Sequence, residues 1–573
     1  MPFDYAAQPF GKLRGAAPLR ARIANFKVAV NSYRKIIARL FQNFWNIIAP
    51  VSETKSSNLL RAAGTVAFAI LFGQVMSLLR SMLVAGAFPD IELDAFFVAN
   101  RVSETLFTLI AAGALGSAFM PTFTGLLVKD KQASAWRLAA SLATLVTLTL
   151  SLLAVIAAIF APQIVRYLLA PGFVDKPELF ALTVDLLRIQ LASAVLFGLG
   201  GLLVGVLNAH HILFIPQLTA SVYQLGQIFG IQVLAQRFGL GIYGLAWGVV
   251  IGSAFYLAIQ IPALLGLLRK LPARPSLSLG LDNPDVRQVI RLMGPRVLGA
   301  SVVQLNFWVN NNLASQMGEG YVKTLGFGFA LMVMAQAAIA QSVAIAVMPT
   351  FSAQFALGKQ DEMRAALASA LRGVLMLALP ASLGLILLAS PIVAMLYQRG
   401  EFDALAVEMT AWALGWYAAG MIGHSLLEVL TRAFYARQDT KTPVVVGVAA
   451  MTLNVLLSFA FSAWFRQLGW MPHGGLALAN SLATALEALA LFVLIRRPLG
   501  GVQGRTLLDG LIRFGLAGAG MSVALLAWNQ FSVGLNPWLV GLGGVALGGL
   551  VYGLGLVLLR VSEVRMLLRL VRR

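Results

Sequence analysis

The sequence predicts an all-α polytopic membrane protein of about fourteen transmembrane helices, two pseudo-symmetric six-helix lobes followed by a helix pair. Three observations predict it. Hydrophobic residues make up 59% of the 573 and charged residues 12%, about half the charge of an ordinary globular domain, so lipid must be the solvent for most of the surface. Apolar runs of about 20 residues, the length that spans a bilayer, recur along the chain. Short segments also repeat in order at an almost constant offset of about 228 residues, the mark of an internal duplication.

The apolar cores fall near 62–86, 96–125, 138–161, 184–207, 216–236, 241–268, 288–313, 324–354, 366–394, 407–431, 443–464, 475–495, 508–528 and 537–560. The 54 glycines suit close helix packing in lipid. A membrane β-barrel would instead show short alternating strands.

Loop charges set the expected orientation. With the N-terminus inside, the inner loops carry Lys129, Lys131 and Arg137, then Arg269, Lys270 and Arg274, then Arg432, Arg437 and Lys441, then Arg496, Arg497 and Arg505. The outer loops hold single cations such as Lys176, Lys323 and Arg399, and the first is acidic, with Asp90, Glu92 and Asp94. This positive-inside pattern runs the length of the chain and puts both termini in the cytoplasm. It also accounts for the net charge of +20 without nucleic acid as a partner. Residues 1–58 are too charged to span. Arg20, Arg22, Lys27, Arg34, Lys35 and Arg39 alternate with Ile23, Phe26, Ile36, Leu40 and Trp45, which predicts a basic amphipathic helix on anionic lipid, with a disordered basic tail as the plainer reading.

The repeat matches Met120-Pro121-Thr122-Phe123 with Met348-Pro349-Thr350-Phe351, Gly172-Phe173 with Glu401-Phe402, and Pro216 with Pro443. Each unit then holds six helices, giving lobes at 59–275 and 276–500 in the same orientation, with 501–573 as the helix pair and a basic tail. Substrate would bind between the lobes. The two prolines of the Met-Pro-Thr-Phe segments read as helix breaks.

Ionisable residues inside spans cost roughly 2.5–3.5 kcal/mol each on insertion scales, which makes them functional candidates. Arg80 lies in the first span, Arg101 and Glu104 on one face of the second, and Arg296 in the seventh, with Gln304 and Asn306 on the same helix. These are the candidate cavity residues. His424 and Glu428, four apart in the tenth span, are candidates for ion coupling. Plainer readings stand beside them: Arg101 and Glu104 pairing with each other, Arg80 and Arg296 snorkelling to the interfaces, His424 and Glu428 as a structural pair, His210 and His211 solvated in a loop. There is no cysteine, the four histidines have no metal-site spacing, and no phosphate-binding G-x-x-x-x-G-K-[ST] loop occurs. No cofactor or metal is expected, and the chain does not read as an enzyme.

Four segments carry a family resemblance: Asp94-Ala95-Phe96-Phe97-Val98-Ala99, Ala170-Pro171-Gly172-Phe173, Met293-Gly294-Pro295, and Phe434-Tyr435-Ala436-Arg437-Gln438-Asp439-Thr440-Lys441-Thr442-Pro443. In these, and from about residue 60 to 560, the chain resembles the MviN/MurJ lipid II flippases of the superfamily that includes multidrug exporters. The resemblance implies a flippase of the bacterial plasma membrane that carries an undecaprenyl-pyrophosphate-linked peptidoglycan precursor between leaflets, with cell-wall synthesis proteins as partners. It also implies cavity arginines for the pyrophosphate. Arg80 matches one, but Gln74, Phe107 and Thr108 stand where others are expected, Ala112 where an acid is usual, and Phe329-Ala330 where an Asp-Arg pair is. A flippase for another lipid-linked oligosaccharide, a multidrug or cation exporter of the same fold, and a transport-inactive scaffold are the alternatives.

Overall fold

The computed structural model describes residues 57–110, 119–271, 278–561 and 563. The amphipathic helix expected within 1–58, Ala112 and the basic tail beyond 563 lie outside the described residues. The chain divides into two compact units, Met1–Thr65 and Val66–Arg573. Of the former, only the opening turns of the first helix are described; the remaining helices belong to the latter.

Among the described residues there is helix and no strand. The main helices are α1 (Ser57–Ala87), α2 (Asp90–Ile110), α3 (Met120–Val128), α4 (Gln132–Ile159), α5 (Pro177–Ala209), α6 (Phe214–Phe229, continued by a π-helical turn Gly230–Ala235), α7 (Ile242–Ala258) and α8 (Ile261–Leu268). They continue with α9 (Pro284–Ser315), α10 (Tyr321–Gln336), α11 (Ser342–Ala356), α12 (Gln360–Leu387), α13 (Ala389–Tyr397), α14 (Ala404–Ala436), α15 (Lys441–Gln467), α16 (His473–Leu499), α17 (Gly504–Phe531) and α18 (Pro537–Leu558). Among the described residues nine helices are long and apolar enough to cross a membrane, counting α7–α8 and α10–α11 each as one. This is a multi-span membrane protein. The other segments read as spans, α1, α2, α6, α9 and α14, are helical too. Helices α2, α9 and α14 owe their lower apolarity to Arg101 and Glu104, to Gln304 and four asparagines, and to His424 and Glu428 respectively.

Lipid as solvent shows in how the helices distribute their side chains. On α4 Leu138, Leu142, Val146 and Leu150 are buried, while Leu148, Leu152, Ile156 and Ile159 are exposed on the other face. In water such a second apolar face would be an aggregation surface; here it faces acyl chains. Where helices must touch, small residues let them. Gly226 and Gly230 of α6 meet Gly244, Gly248 and Gly252 of α7, and a Cβ on Gly226 would come within 2.2 Å of the Gly252 Cα, the small-residue packing typical of membranes.

The helices before residue 270 pack chiefly on one another, those of 321–499 do the same, and α17 and α18 lie against α12 and α13. The two halves meet where α9 contacts α2, α4 and the turns Ile164–Leu169 and Pro171–Phe173, and where α2 contacts α10. The first turn of α9 also crosses over, since Val286 and Val289 bury themselves against Phe119, Phe123 and Trp136.

Two expectations are corrected. Pro121 opens α3, where its missing N–H costs nothing, but Pro349 sits inside α11 without ending it. His210 is not simply solvated: its ring lies 5.7 Å from Trp136 and 5.8 Å from Phe123, with Nδ1 2.9 Å from the Val206 carbonyl.

Candidate functional site

The seam between the halves is built on one face of α2. Arg101 pairs with Glu104 at 2.8 Å, and its guanidinium stands 5.0 Å from the centre of the Phe307 ring on α9. One turn on, Thr105 Oγ1 accepts from Trp308 Nε1–H at 2.9 Å and lies 3.2 Å from Gln304 Oε1. An aromatic row continues the seam across the second half, Phe307 to Phe329 at 5.7 Å and Phe329 to Tyr417 at 5.2 Å. Arg101, Glu104 and Gln304 are therefore together at the seam.

The other predicted residues are elsewhere. Asn306 turns away from α2 to α15: its Oδ1 accepts from Asn454 Nδ2 at 3.1 Å and from Asn310 Nδ2 at 3.4 Å, and Ser458 Oγ donates to Asn310 Oδ1 at 3.2 Å. Residues two apart on a helix point about 200° apart, so Gln304 and Asn306 cannot share one cavity. Arg80 donates to Gln227 Oε1 on α6 at 3.2 Å. Beside it a cavity of about 190 Å³ between α1, α10 and α13 is lined by Gln74, Ser77, Ser81, Ala330, Met334 and Tyr397. Two of the positions that depart from the expected pattern, Gln74 and Ala330, thus face one space. Arg296 is in α9, but its side chain lies outside the described residues. His424 and Glu428 are not partnered with each other: His424 Nε2 is 3.1 Å from Asn480 Oδ1, and Glu428 is 3.7 Å from Arg432.

A feature that sequence reasoning missed closes the seam at its outer end, as the loop charges define outer. Asp94 is 1% exposed. Its two oxygens accept from the backbone N–H groups of Gly320, at 2.6 Å, and Lys323, at 2.7 Å. A carboxylate of the first half thereby caps the N-terminus of α10 in the second, where the free N–H groups and the helix dipole favour an anion. Lys323, wholly buried, pairs with Asp90 and lies 4.8 Å from the Phe402 ring centre. Lys176 pairs with Glu319 at 2.5 Å, and Glu401 N–H donates to the Gly86 carbonyl at 3.3 Å. At Gly172, whose N–H donates to Ser315 Oγ at 3.3 Å, a Cβ would fall 2.1 Å from the Ser315 carbonyl oxygen. The Asp94 and Gly172-Phe173 segments of the sequence thus converge on this seal. The available signal was an acidic outer loop and a lone lysine at the start of a span, with nothing to pair them.

The Phe434–Pro443 segment forms the α14–α15 corner at the other end. Asp439 accepts from Thr442 N–H at 3.0 Å and Thr442 Oγ1–H at 2.7 Å. Partial burial works to raise its pKa, but these bonds, one from the Lys441 N–H and the nearby Arg437 charge outweigh it and hold the carboxyl below its ordinary range. Helices α12, α14 and α16 of the second half and α17 enclose an apolar groove of about 630 Å³, lined by Leu375, Leu426, Ala488, Phe492, Leu507 and Leu511 among others.

With this geometry in place, comparison with known proteins assigns the chain. The model of the family described as lipid II flippase MurJ matches residues 86–543. The chain belongs to the MurJ family. A lipid II flippase MurJ of Burkholderia cenocepacia is 30% identical over 445 residues, covering 77% of this chain and 84% of the relative. A probable lipid II flippase MurJ of Vibrio cholerae is 30% identical over 517 residues, covering 88% and 95%. Among solved structures, a lipid II flippase MurJ in an inward closed conformation superposes with a TM-score of 0.72 at 22% identity, covering 88% of this chain and 99% of that one. An inward-facing multidrug resistance transporter of the MATE family superposes at 0.61 with 15% identity, covering 75% and 94%. These structural likenesses carry the MurJ and MATE fold.

Proposed function

We propose that this protein flips lipid II, the undecaprenyl-pyrophosphate-linked peptidoglycan precursor, from the inner to the outer leaflet of the bacterial plasma membrane by alternating access. It is a transporter, not a catalyst. Residues 59–275 and 276–500 act as two lobes that rock about the seam, both termini stay in the cytoplasm, and the basic segment 1–58 binds anionic headgroups of the inner leaflet.

The observation that carries the reading is the outer seal. Asp94, Asp90 and Lys323 join two halves of the molecule through charges and a helix cap, contacts that break and reform as water enters. With that end shut, the pyrophosphate approaches from the inner end and meets Arg101 at the seam, with Arg80 of α1 and Arg296 of α9 as the further candidate cations. Guanidinium groups replace the water that a pyrophosphate loses, two donors at a time. The polyprenyl tail need not cross, and the apolar groove between the second half and α17 is built to hold it. The loss of cations at Gln74 and Ala330 leaves Arg101 with a larger share of the headgroup.

The test is genetic and direct. Expressed in a bacterium depleted of its own essential lipid II flippase, the chain should restore growth and outer-leaflet lipid II. Growth arrest despite normal membrane insertion of the protein would refute the assignment to lipid II.

A further inference from the structure

The C-terminal helices are fastened to α12 at three levels. Asn529 Nδ2 donates to the Leu387 carbonyl and Tyr552 Oη to the Met376 carbonyl, each at 2.8 Å. At the inner end the fastening is ionic. Arg372, 6% exposed, gives Nε–H to Glu563 Oε1 at 2.5 Å and a second donor to Oε2 at 3.2 Å. It also donates to the Thr506 carbonyl, stands 3.9 Å from Asp509, whose nearer partner is Arg513 at 2.9 Å, and lies 5.7 Å from the Phe514 ring centre. Helix α17 passes so close that a Cβ on Gly510 would be 3.2 Å from the guanidinium.

This knot shares its helix turns with the apolar groove. Leu371, next to Arg372, lines the groove, and so do Leu507, Leu508 and Leu511, which bracket Asp509 and Gly510. The inner wall of the groove is therefore the turn of α17 that Arg372 holds. Packing alone does not call for an ion pair here, because well-packed apolar residues hold buried surfaces as well or better. What a buried ion pair adds is a position that depends on both partners, since removing either strands a charge. One partner, Glu563, comes from beyond α18.

We propose that Arg372, Asp509 and Glu563 are positioning residues that set the place of α17 as the groove's wall and, through it, the length of polyprenyl chain the groove accepts. This rests on the flippase reading, with the lipid tail as the groove's occupant.

The experiment uses the full chain in proteoliposomes and two substrates with the same disaccharide pyrophosphate head, one on an undecaprenyl and one on a farnesyl tail. The readout is the ratio of long-tail to short-tail flipping. The parent should favour the long tail. Glu563→Gln should lower the ratio roughly 3- to 10-fold by weakening the long-tail rate alone, and Glu563→Asp, which keeps the charge, should recover part of it. Leu508→Trp, which fills the groove without touching the knot, should lower the ratio as well. If Glu563→Gln does not fold, Asp509→Asn, on the solvent side of the knot, gives the same readout. An unchanged ratio, or equal losses on both tails, overturns the positioning role. A shift with Leu508→Trp but none with Glu563→Gln or Asp509→Asn leaves the groove its tail and overturns the knot. A parent that flips neither lipid sinks the flippase reading itself.

Discussion

The seam between the halves and the interface of α9 with α15 are both polar, yet they are made of different chemistry. The seam uses ions and a helix cap: Asp94 on the N-terminus of α10, Lys323 with Asp90, Lys176 with Glu319. The α9–α15 interface uses neutral amides and a hydroxyl, Asn306, Asn310, Asn454 and Ser458. An ion pulled from its partner in lipid is ruinously costly, but one pulled apart into water is rehydrated. An amide ladder deep among spans has no water to fall back on and stays closed. The difference separates a joint that moves from one that does not.

The largest effect expected on the moving side is at the substrate. Arg101→Ala should weaken binding of the pyrophosphate lipid by roughly 10- to 150-fold, the worth of one charge-assisted contact. Arg101→Lys should lose less, since it keeps the charge and gives up the two-pronged geometry. Equal affinity in parent, Arg101→Lys and Arg101→Ala, read by titration in detergent, would remove Arg101 from the site.

Next is Asp94→Ala. Lost helix caps cost about 0.5–2 kcal/mol, which lowers the outer-closed state roughly 2- to 30-fold relative to the open one. Thiol labelling of a cysteine placed at Ser315, which is 4% exposed and lines the outer cavity beside Asp94, should rise accordingly. Labelling that stays at the parent level would mean the cap does not hold the seal.

On the fixed side, Asn454→Ala should lower thermal stability by about 0.6–1.7 kcal/mol, the range for hydrogen bonds between spans, and leave transport per folded molecule unchanged. A transport defect larger than the stability loss would make α9–α15 a moving joint as well and erase the contrast.

The smallest effect lies at the α14–α15 corner. Asp439 is held below its unfolded pKa, so its contribution is full above the ordinary carboxylate range and fades as pH falls through its lowered folded value. Asp439→Asn should flatten the acid limb of the melting curve, and an acid limb identical to the parent's would deny the corner that role.

How much of this was legible in the sequence depends on the same physics. Long apolar runs forecast the lipid-facing helices, because length and composition alone decide who meets the bilayer. Even the polarity of α9 was visible. Its meaning was not, because Gln304 and Asn306 point to opposite sides and only the fold says which neighbour stands on each. Spacing suggested that His424 and Glu428 would face each other, but Asn480 from α16 and Arg432 one turn on are the partners nearest them. The outer seal was invisible for a simpler reason: Asp90 and Asp94 lie 233 and 229 residues from Lys323, and an ion pair or a helix cap across that separation leaves no local pattern.

The central claim is that the outer seam must open for transport. The chain has no cysteine, so a single pair can be installed. Lys176→Cys with Glu319→Cys places two thiols where an exposed ion pair now bridges the halves at 2.5 Å. A short bis-methanethiosulfonate reagent should join them, stop flipping in proteoliposomes, and release it on reduction, with either single cysteine unaffected. Full flipping with the bridge shown intact would contradict the account.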